Sequence, residues 1–323
     1  MYSGVKQGGI LSPYLYAFFI NDLIKDLEQL PYGTSIGDTF TGVVAYADDI
    51  LLLSQTGFGL QKMLDTCFNF CSDWKLKLNP SKTFILHFSK KKQKHILDVF
   101  YLGQQKILPA YTCTHLGFTW SILDKLPLLQ HTEQKLQKLQ QQISILIAKG
   151  VQKSHPSTIA HLVKHQLIPS LYGIEFANFL SKDRITLNAR FRTMIKSLFS
   201  LNAKCSNILF DTLEIPNLSE IIKFRSSINI SQLFKSEYTK KILHYTSKTK
   251  NTKYWINNIH DLNLDLQNLQ STPKYKYTFL NSGITDSIKS LLYNWNEPLC
   301  RKQYYDILHY NMNRSTPAEL PQP

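Results

Sequence analysis

Between residues 43 and 53 two short apolar runs, Val43-Val44-Ala45-Tyr46 and Ile50-Leu51-Leu52-Leu53, enclose Ala47, Asp48 and Asp49. Each run has strand length and the first carries two β-branched residues, so the segment reads as a hairpin with acids at its tip. Adjacent carboxylates repel, and burying them without a cation is costly. Two readings stay open for the pair by itself: an exposed acidic turn, or a ligand pair for a divalent ion. Oxygen-only ligation favours Mg2+ or Mn2+.

The surrounding pattern is α+β. A Gly-containing loop from Gly4 to Gly9 leads into a helix expected from Pro13 to about Leu30, with Leu15, Phe18, Phe19, Leu23 and Leu27 at helical spacing. After the hairpin, Leu60, Met63, Leu64, Cys67, Phe68 and Cys71 predict an amphipathic helix. Asn79-Pro80-Ser81 is a turn, Thr83 to Phe88 reads as a strand, and Lys90-Lys91-Lys92 as a basic loop. Short strands with turns at Gly103 and Gly117 are expected from Val99 to Trp120. Beyond Ser121 the chain becomes helical, with Leu136, Leu139, Ile143, Leu146 and Ile147 on one face and further helices from Pro156 and around Leu187 to Phe199. Periodicity weakens after about Tyr238.

Lys and Arg total 37 against 23 Asp and Glu, a net +14, which favours an anionic partner, nucleic acid being the commonest. Lys135, Lys138, Lys149, Lys153, Arg184, Arg190, Arg192 and Lys196 fall on polar faces, where they either meet phosphates or are simply solvated. Tyr275, Tyr277 and Trp295 read equally as base-stacking or core residues. Five scattered cysteines without a CxxC pair point to neither a disulfide framework nor a zinc ribbon, Cys300 and His309 lacking partners at ligand spacing. A reducing intracellular compartment fits, nucleus or cytoplasm unresolved. The apolar stretch from Ile10 to Ile20, broken by Ser12 and Pro13, is shorter than the roughly 20 residues of a membrane span. His161 and His165, at i, i+4 without a metalloprotease glutamate, read as structural.

Four segments in order sharpen the reading: Gly4-Val5-Lys6-Gln7-Gly8-Gly9-Ile10-Leu11-Ser12-Pro13, Tyr46-Ala47-Asp48-Asp49, Leu76-Lys77-Leu78-Asn79-Pro80-Ser81-Lys82-Thr83 and His115-Leu116-Gly117-Phe118. Together they resemble the consecutive palm motifs of non-LTR (LINE-like) retrotransposon reverse transcriptases. Leu167-Ile168-Pro169-Ser170-Leu171-Tyr172-Gly173 resembles the Pro…Tyr-Gly helix of the region after the palm. The resemblance implies a partial palm over residues 1–120, a helical thumb over 121–235 and a poorly defined basic tail over 236–323. It implies RNA-directed DNA polymerisation with Mg2+ or Mn2+ on an RNA template and DNA primer, with deoxynucleoside triphosphates as substrates and no membrane partner. Oligomeric state stays open.

By the same resemblance Asp48 is a metal ligand and Asp49 its companion, and Lys82 is the lysine that protonates departing pyrophosphate. Tyr46 and Ala47 lie beside the primer terminus, Gln7 and Gly8 line the nucleotide and template side, and Leu116 with Gly117 grips the primer. The family's other catalytic aspartate and its fingers lie upstream of the Gln-Gly loop, and this chain begins three residues before that loop. The expectation is therefore a carboxyl-terminal fragment, inactive alone, with apolar surface exposed where a further palm strand would pair. Two other readings remain: a group II intron reverse transcriptase, and a non-catalytic remnant that binds nucleic acid.

Overall fold

Proline at the second position of α1 (Ser12–Gln29) has no N–H to leave unsatisfied in the first helical turn. The computed structural model describes residues 6, 8–88, 99–124, 128–177, 179, 181–248, 302, 304 and 306. Lys90, Lys91, Lys92, Tyr275, Tyr277, Trp295, Cys300, His309 and Gln7, expected to line the nucleotide side, lie outside them. The architecture is α+β, eight helices among the described residues accompanying four two-stranded sheets. Of the described residues, those within Met1–Thr114, Ser121–Leu123 and Leu233–Lys250 form a first compact unit, and the others a second.

In the first unit α1 buries Ile20, Leu23 and Leu27 against Met63, Cys67, Phe70 and Cys71 of α2 (Gly57–Asp73). The amino-terminal half of α1 behaves differently: Tyr14, Leu15 and Phe18 are exposed, Phe18 by 82%. Tyr16 and Phe19 on the same turns do pack against the core, so only the Tyr14, Leu15 and Phe18 side is left open among the described residues. Thr56 caps α2, its hydroxyl accepting the Gly59 N–H at 3.1 Å. Thr56→Ala is expected to cost about 1 kcal/mol, read as a lower urea midpoint for this unit.

Four hairpins surround this helix pair or follow it. β1 (Ser35–Ile36) pairs with β2 (Thr39–Phe40), and β3 (Val43–Tyr46) with β4 (Asp49–Leu52). β5 (Phe100–Leu102) pairs with β6 (Gln105–Ile107), and β7 (Thr112–His115) with β8 (Phe118–Ser121). The Gln61 side chain of α2 extends the ladder of β5, its amide donating to the Tyr101 carbonyl and accepting the Tyr101 N–H, both at 2.8 Å.

The strand expected over Thr83 to Phe88 does not form. Ile85 alone bridges Pro109, and its carbonyl accepts the Ala110 N–H at 2.7 Å. A strand needs a partner along its length, and here Phe84 and Phe88 are exposed while only Ile85 enters the core with Phe100, Leu102 and Ile107.

The second unit is built on one large core. α3 (Leu129–Ala148) contributes Leu136, Leu139 and Ile143. The helix expected from about Pro156 is short, α4 (Pro156–Leu162). It widens to a π turn over Val163–Leu167 and tightens to a 3-10 turn over Ile168–Leu171. Pro169 causes this: it cannot donate to the carbonyl four residues back, and its ring crowds that carbonyl. Arg225 of a later helix compensates, donating to Ile168 O at 2.8 Å and Leu171 O at 2.7 Å.

α5 (Ser181–Leu198) adds Leu187, Phe191, Met194, Ile195 and Leu198 to the core. Lys196, expected on a polar face, is instead buried. Its ammonium donates to the carbonyls of Ala203 at 3.0 Å and Cys205 at 2.5 Å, closing the loop after α5. α6 (Ile208–Thr212) and α7 (Leu218–Leu233) complete the bundle. The expected tail begins with a helix, α8 (Glu237–Lys248), that belongs to the first unit. There Tyr238 Oη donates to Phe40 O at 2.6 Å, and the Tyr245 ring lies against Gly37 in the β1–β2 turn. Among the described residues no cysteine forms a disulfide, and no helix is long and apolar enough to cross a membrane.

Candidate active site

The register of β3 and β4 settles which side chains share a face. Val43 pairs with Leu52, Val44 with Leu51, Ala45 with Ile50 and Tyr46 with Asp49. Because side chains alternate, Val43, Ile50 and Leu52 enter the core with α1 and α2. Tyr46 and Asp49, directly opposite one another, are exposed, as is Asp48. The turn consists of Ala47 and Asp48 alone. A two-residue hairpin loop requires a positive φ at its first central position, and Ala47 adopts φ 51°. For a residue with a Cβ that conformation costs on the order of 1 kcal/mol, strain that the flanking pairs hold in place.

α1 stands beside this tip. Burial first, then the charge of Asp48 and the Cys71 thiol, push the Tyr16 phenol above its ordinary value. Tyr16 is thus a neighbour of Asp48 that the motif reading missed, although its place one turn beyond Pro13, on the helix after the Gly-rich loop, was visible. Gly8 lies in that loop at φ 76°, and the Lys6 carbonyl accepts both the Gly9 N–H at 3.1 Å and the Ser12 hydroxyl at 2.6 Å. Lys82 is exposed at the end of a 3-10 turn, Pro80–Lys82, which Asn79 caps by accepting the Ser81 N–H at 3.0 Å.

Asp48 and Asp49 are hard oxygen donors at one tip, the donor type that suits Mg2+ or Mn2+. Among the described residues, no group of three or more His, Cys, Asp or Glu is placed to hold a metal ion. The structure therefore gathers Tyr46, Ala47, Asp48 and Asp49, with Tyr16 at their side, and sets Lys82 on a separate turn.

Leu116 and Gly117 form the turn of the β7–β8 hairpin and belong to the second unit. Both have positive φ, 49° and 78°, the requirement of a two-residue primed turn. His131 of α3 anchors this hairpin: its Nδ1 accepts the Thr119 N–H at 3.1 Å, so Nε2 carries the proton and donates to Tyr172 O at 2.9 Å. Phe118 stacks on the imidazole with ring centroids 5.3 Å apart. Gly173 must be glycine, since a Cβ there would come within 2.7 Å of both His131 Nε2 and Phe118.

Burial lowers the His131 pKa from an ordinary 6.5, Lys135 lowering it further while the bond to Tyr172 O and Glu175 partly offset these. The folded state thus favours neutral imidazole and the unfolded state binds the proton more readily. The contribution is complete above about pH 6.5 and is lost as pH falls from there through the lowered value. Thermal melts of the second unit should show this loss between pH 7 and 5, and His131→Gln should remove that part of the slope.

His161 on α4 and His165 on the π turn are both exposed, with ring centroids 4.2 Å apart. Arg190, another expected phosphate contact, pairs instead with Glu133 at 2.7 Å.

A family model described as "Reverse transcriptase (RNA-dependent DNA polymerase)" matches residues 1–120, the stretch holding all four motif segments. Residues 1–120 are thus similar to the reverse transcriptase family. The resemblance to non-LTR retrotransposon reverse transcriptases is borne out. The chain is 38% identical over 108 residues to the Pol polyprotein of the type-2 retrotransposable element R2DM of Drosophila melanogaster, 32% of this chain and 10% of that relative. It is 30% identical over 195 residues to a probable RNA-directed DNA polymerase from transposon BS of the same fly, 57% of this chain and 20% of that relative. It is 38% identical over 81 residues to the Pol polyprotein of the type-1 retrotransposable element R2 of Popillia japonica, 25% of this chain and 11% of that relative. The chain spans between 10% and 20% of the length of the curated relatives it matches.

Proposed function

We propose that this chain is part of an RNA-directed DNA polymerase of a non-LTR retrotransposon, with residues 1–120 a partial palm and residues 121–235 a helical thumb. The observation that carries the reading is the exposed Asp48-Asp49 tip within the segment matched by the family. Asp48 and Asp49 would hold a divalent cation, Mg2+ or Mn2+. When bound, that cation offsets negative charge developing on the transferred phosphoryl group.

The remaining steps fall to the chain's own residues. Tyr46, opposite Asp49 on the outer face, supports the primer terminus. Gln7 and Gly8 line the nucleotide and template side, the glycine allowing close backbone approach. Lys82, exposed and free to swing, delivers a proton to the departing pyrophosphate oxygen. Leu116 and Gly117 hold the primer. Template RNA, primer DNA and deoxynucleoside triphosphates are the partners, and the surplus of positive charge fits them.

Two neighbouring carboxylates are a weak cation site alone, so catalysis draws on a further carboxylate that the family places before the Gln-Gly loop. The test is dTTP incorporation on poly(rA)/oligo(dT) with Mg2+. It compares this chain with a polypeptide joining it to the preceding palm segment of the matched R2DM relative. Template-dependent incorporation by the joined polypeptide, and none by this chain above its Asp48→Ala version, supports the reading. Incorporation that survives Asp48→Ala overturns it.

A further inference from the structure

The spacing of His161 and His165 reads as a structural pair, yet the structure gives neither residue a structural task. His131 shows what such a task looks like: it is buried, with a partner on each ring nitrogen. His161, in the last turn of α4, and His165, in the π turn that follows, are both exposed. Among the described residues neither ring has a hydrogen bond or an ion pair. What each ring has is the other, with centroids 4.2 Å apart and planes inclined at 40°.

This arrangement sets two nitrogen donors side by side on one continuous helical segment. Imidazole suits Zn2+, Cu2+ and Ni2+, whereas Mg2+ takes oxygen ligands. Bonds from such an ion to an imidazole nitrogen are about 2.0–2.1 Å long, so two nitrogens on one ion lie no more than about 4.2 Å apart. Rings as close as these meet that limit by turning about their own side-chain bonds, which exposure leaves free to turn. Histidines four residues apart on one helix face are also the spacing by which a metalloprotease helix holds zinc. Leu162 stands where that helix has its glutamate, so the pair can hold an ion and supplies no general base for hydrolysis. Lys164 shares the turn and opposes a cation, an effect that water and salt reduce. Bond formation to nitrogen, rather than local charge, carries the affinity.

We propose that His161 and His165 form a chelating site for one divalent cation of the Zn2+ and Cu2+ class, with water completing its coordination. The chain supplies two ligands where a closed structural zinc site has four, so the ion exchanges with solution. Its chemistry differs from that of the oxygen pair at Asp48 and Asp49, and it stands without the polymerase reading. The two ligands straddle the change from α to π spacing. A bound ion favours the folded turn over the unfolded chain, and so stabilises the second unit by mass action.

The experiment is isothermal titration of the untagged full chain with ZnCl2 at about pH 7.5, where free imidazole is largely neutral. His161→Gln and His165→Gln should each weaken binding at this site about 10^2-fold, because the second bond of a chelate is intramolecular. His161→Gln/His165→Gln should lose little more than either single variant, since one substitution already breaks the chelate. CuCl2 should bind the wild type more tightly than ZnCl2, and MgCl2 should give no heat that these variants remove. His87→Gln takes away an exposed histidine from the first unit and should leave binding unchanged. His165→Cys returns a zinc ligand to the same position and should recover affinity that His165→Gln lacks. Melting temperatures without metal should agree among the wild type and the glutamine variants, and ZnCl2 should raise only that of the wild type.

Affinity unchanged in either single variant, losses that add in the double variant, or an equal loss in His87→Gln would each overturn the chelate. So would a wild type that takes up no ion at about 1 mM ZnCl2. Asp48→Ala should bind Zn2+ at this site like the wild type, so failure of the hairpin tip and failure of the histidine pair are told apart.

Discussion

Asp48→Ala in the joined polypeptide should lower template-dependent incorporation by about 10^3-fold, the scale seen when one preorganised charge-stabilising group is removed from a transition state. The variant takes away a carboxylate at an exposed turn, where it serves neither packing nor a cap, so folding should not change. Asp49→Asn keeps the strand pairing with Tyr46 and should cost less, about 10^2-fold. Steady-state incorporation at saturating dTTP, with far-UV circular dichroism of each variant, makes the comparison. An Asp48→Ala protein that keeps more than a tenth of the activity would remove the hairpin tip from the chemistry.

Arg225→Met should open the second unit by about 3 kcal/mol, equivalent to a roughly 10^2-fold faster amide exchange in α3 and α5. The guanidinium makes three connections at once: to Ile168 O, to Leu171 O and, at 3.7 Å, to the buried Glu175 carboxylate. Removing it strands the Ile168 and Leu171 carbonyls and an acid with little access to water. Adding Glu175→Gln should recover part of the loss, because the unpaired charge is then gone while the Gly173 N–H keeps an acceptor. If the double variant is as unstable as the sum of the singles, the pair is not coupled and the cost lies in the two carbonyls.

The sequence was most informative where structure is local. Helical spacing placed α1 and α2 within a few residues, and the alternation around Asp48-Asp49 placed the hairpin and its outward acids. Periodicity names a face without naming its cover, which is why Leu15 and Phe18 were legible as helix positions and not as exposed ones. Thr83 to Phe88 has strand composition, yet only Ile85 meets a partner, and partnership is a tertiary fact. Lys196 looked like a surface cation because its carbonyl acceptors sit in a loop seven and nine residues on. The His131 anchor was out of reach for a stronger reason: its acceptor, Tyr172 O, is 41 residues away. In the site itself the four contiguous motif residues were legible together, and Tyr16, brought in by the packing of α1, was not.

The return of α8 to the first unit has a consequence for how the protein is made. The bond from Tyr238 to Phe40 spans 198 residues, and α3 to α7 of the second unit are translated between its two ends. At roughly 5–20 residues per second, the β1–β2 hairpin waits about 10–40 s on the ribosome for its last helix. Over that interval the amino-terminal unit is complete in its motifs and incomplete in its packing. A ribosome that stalls within the bundle would therefore release a chain carrying the Asp-Asp tip but lacking the helix that closes the hairpin beside it in sequence.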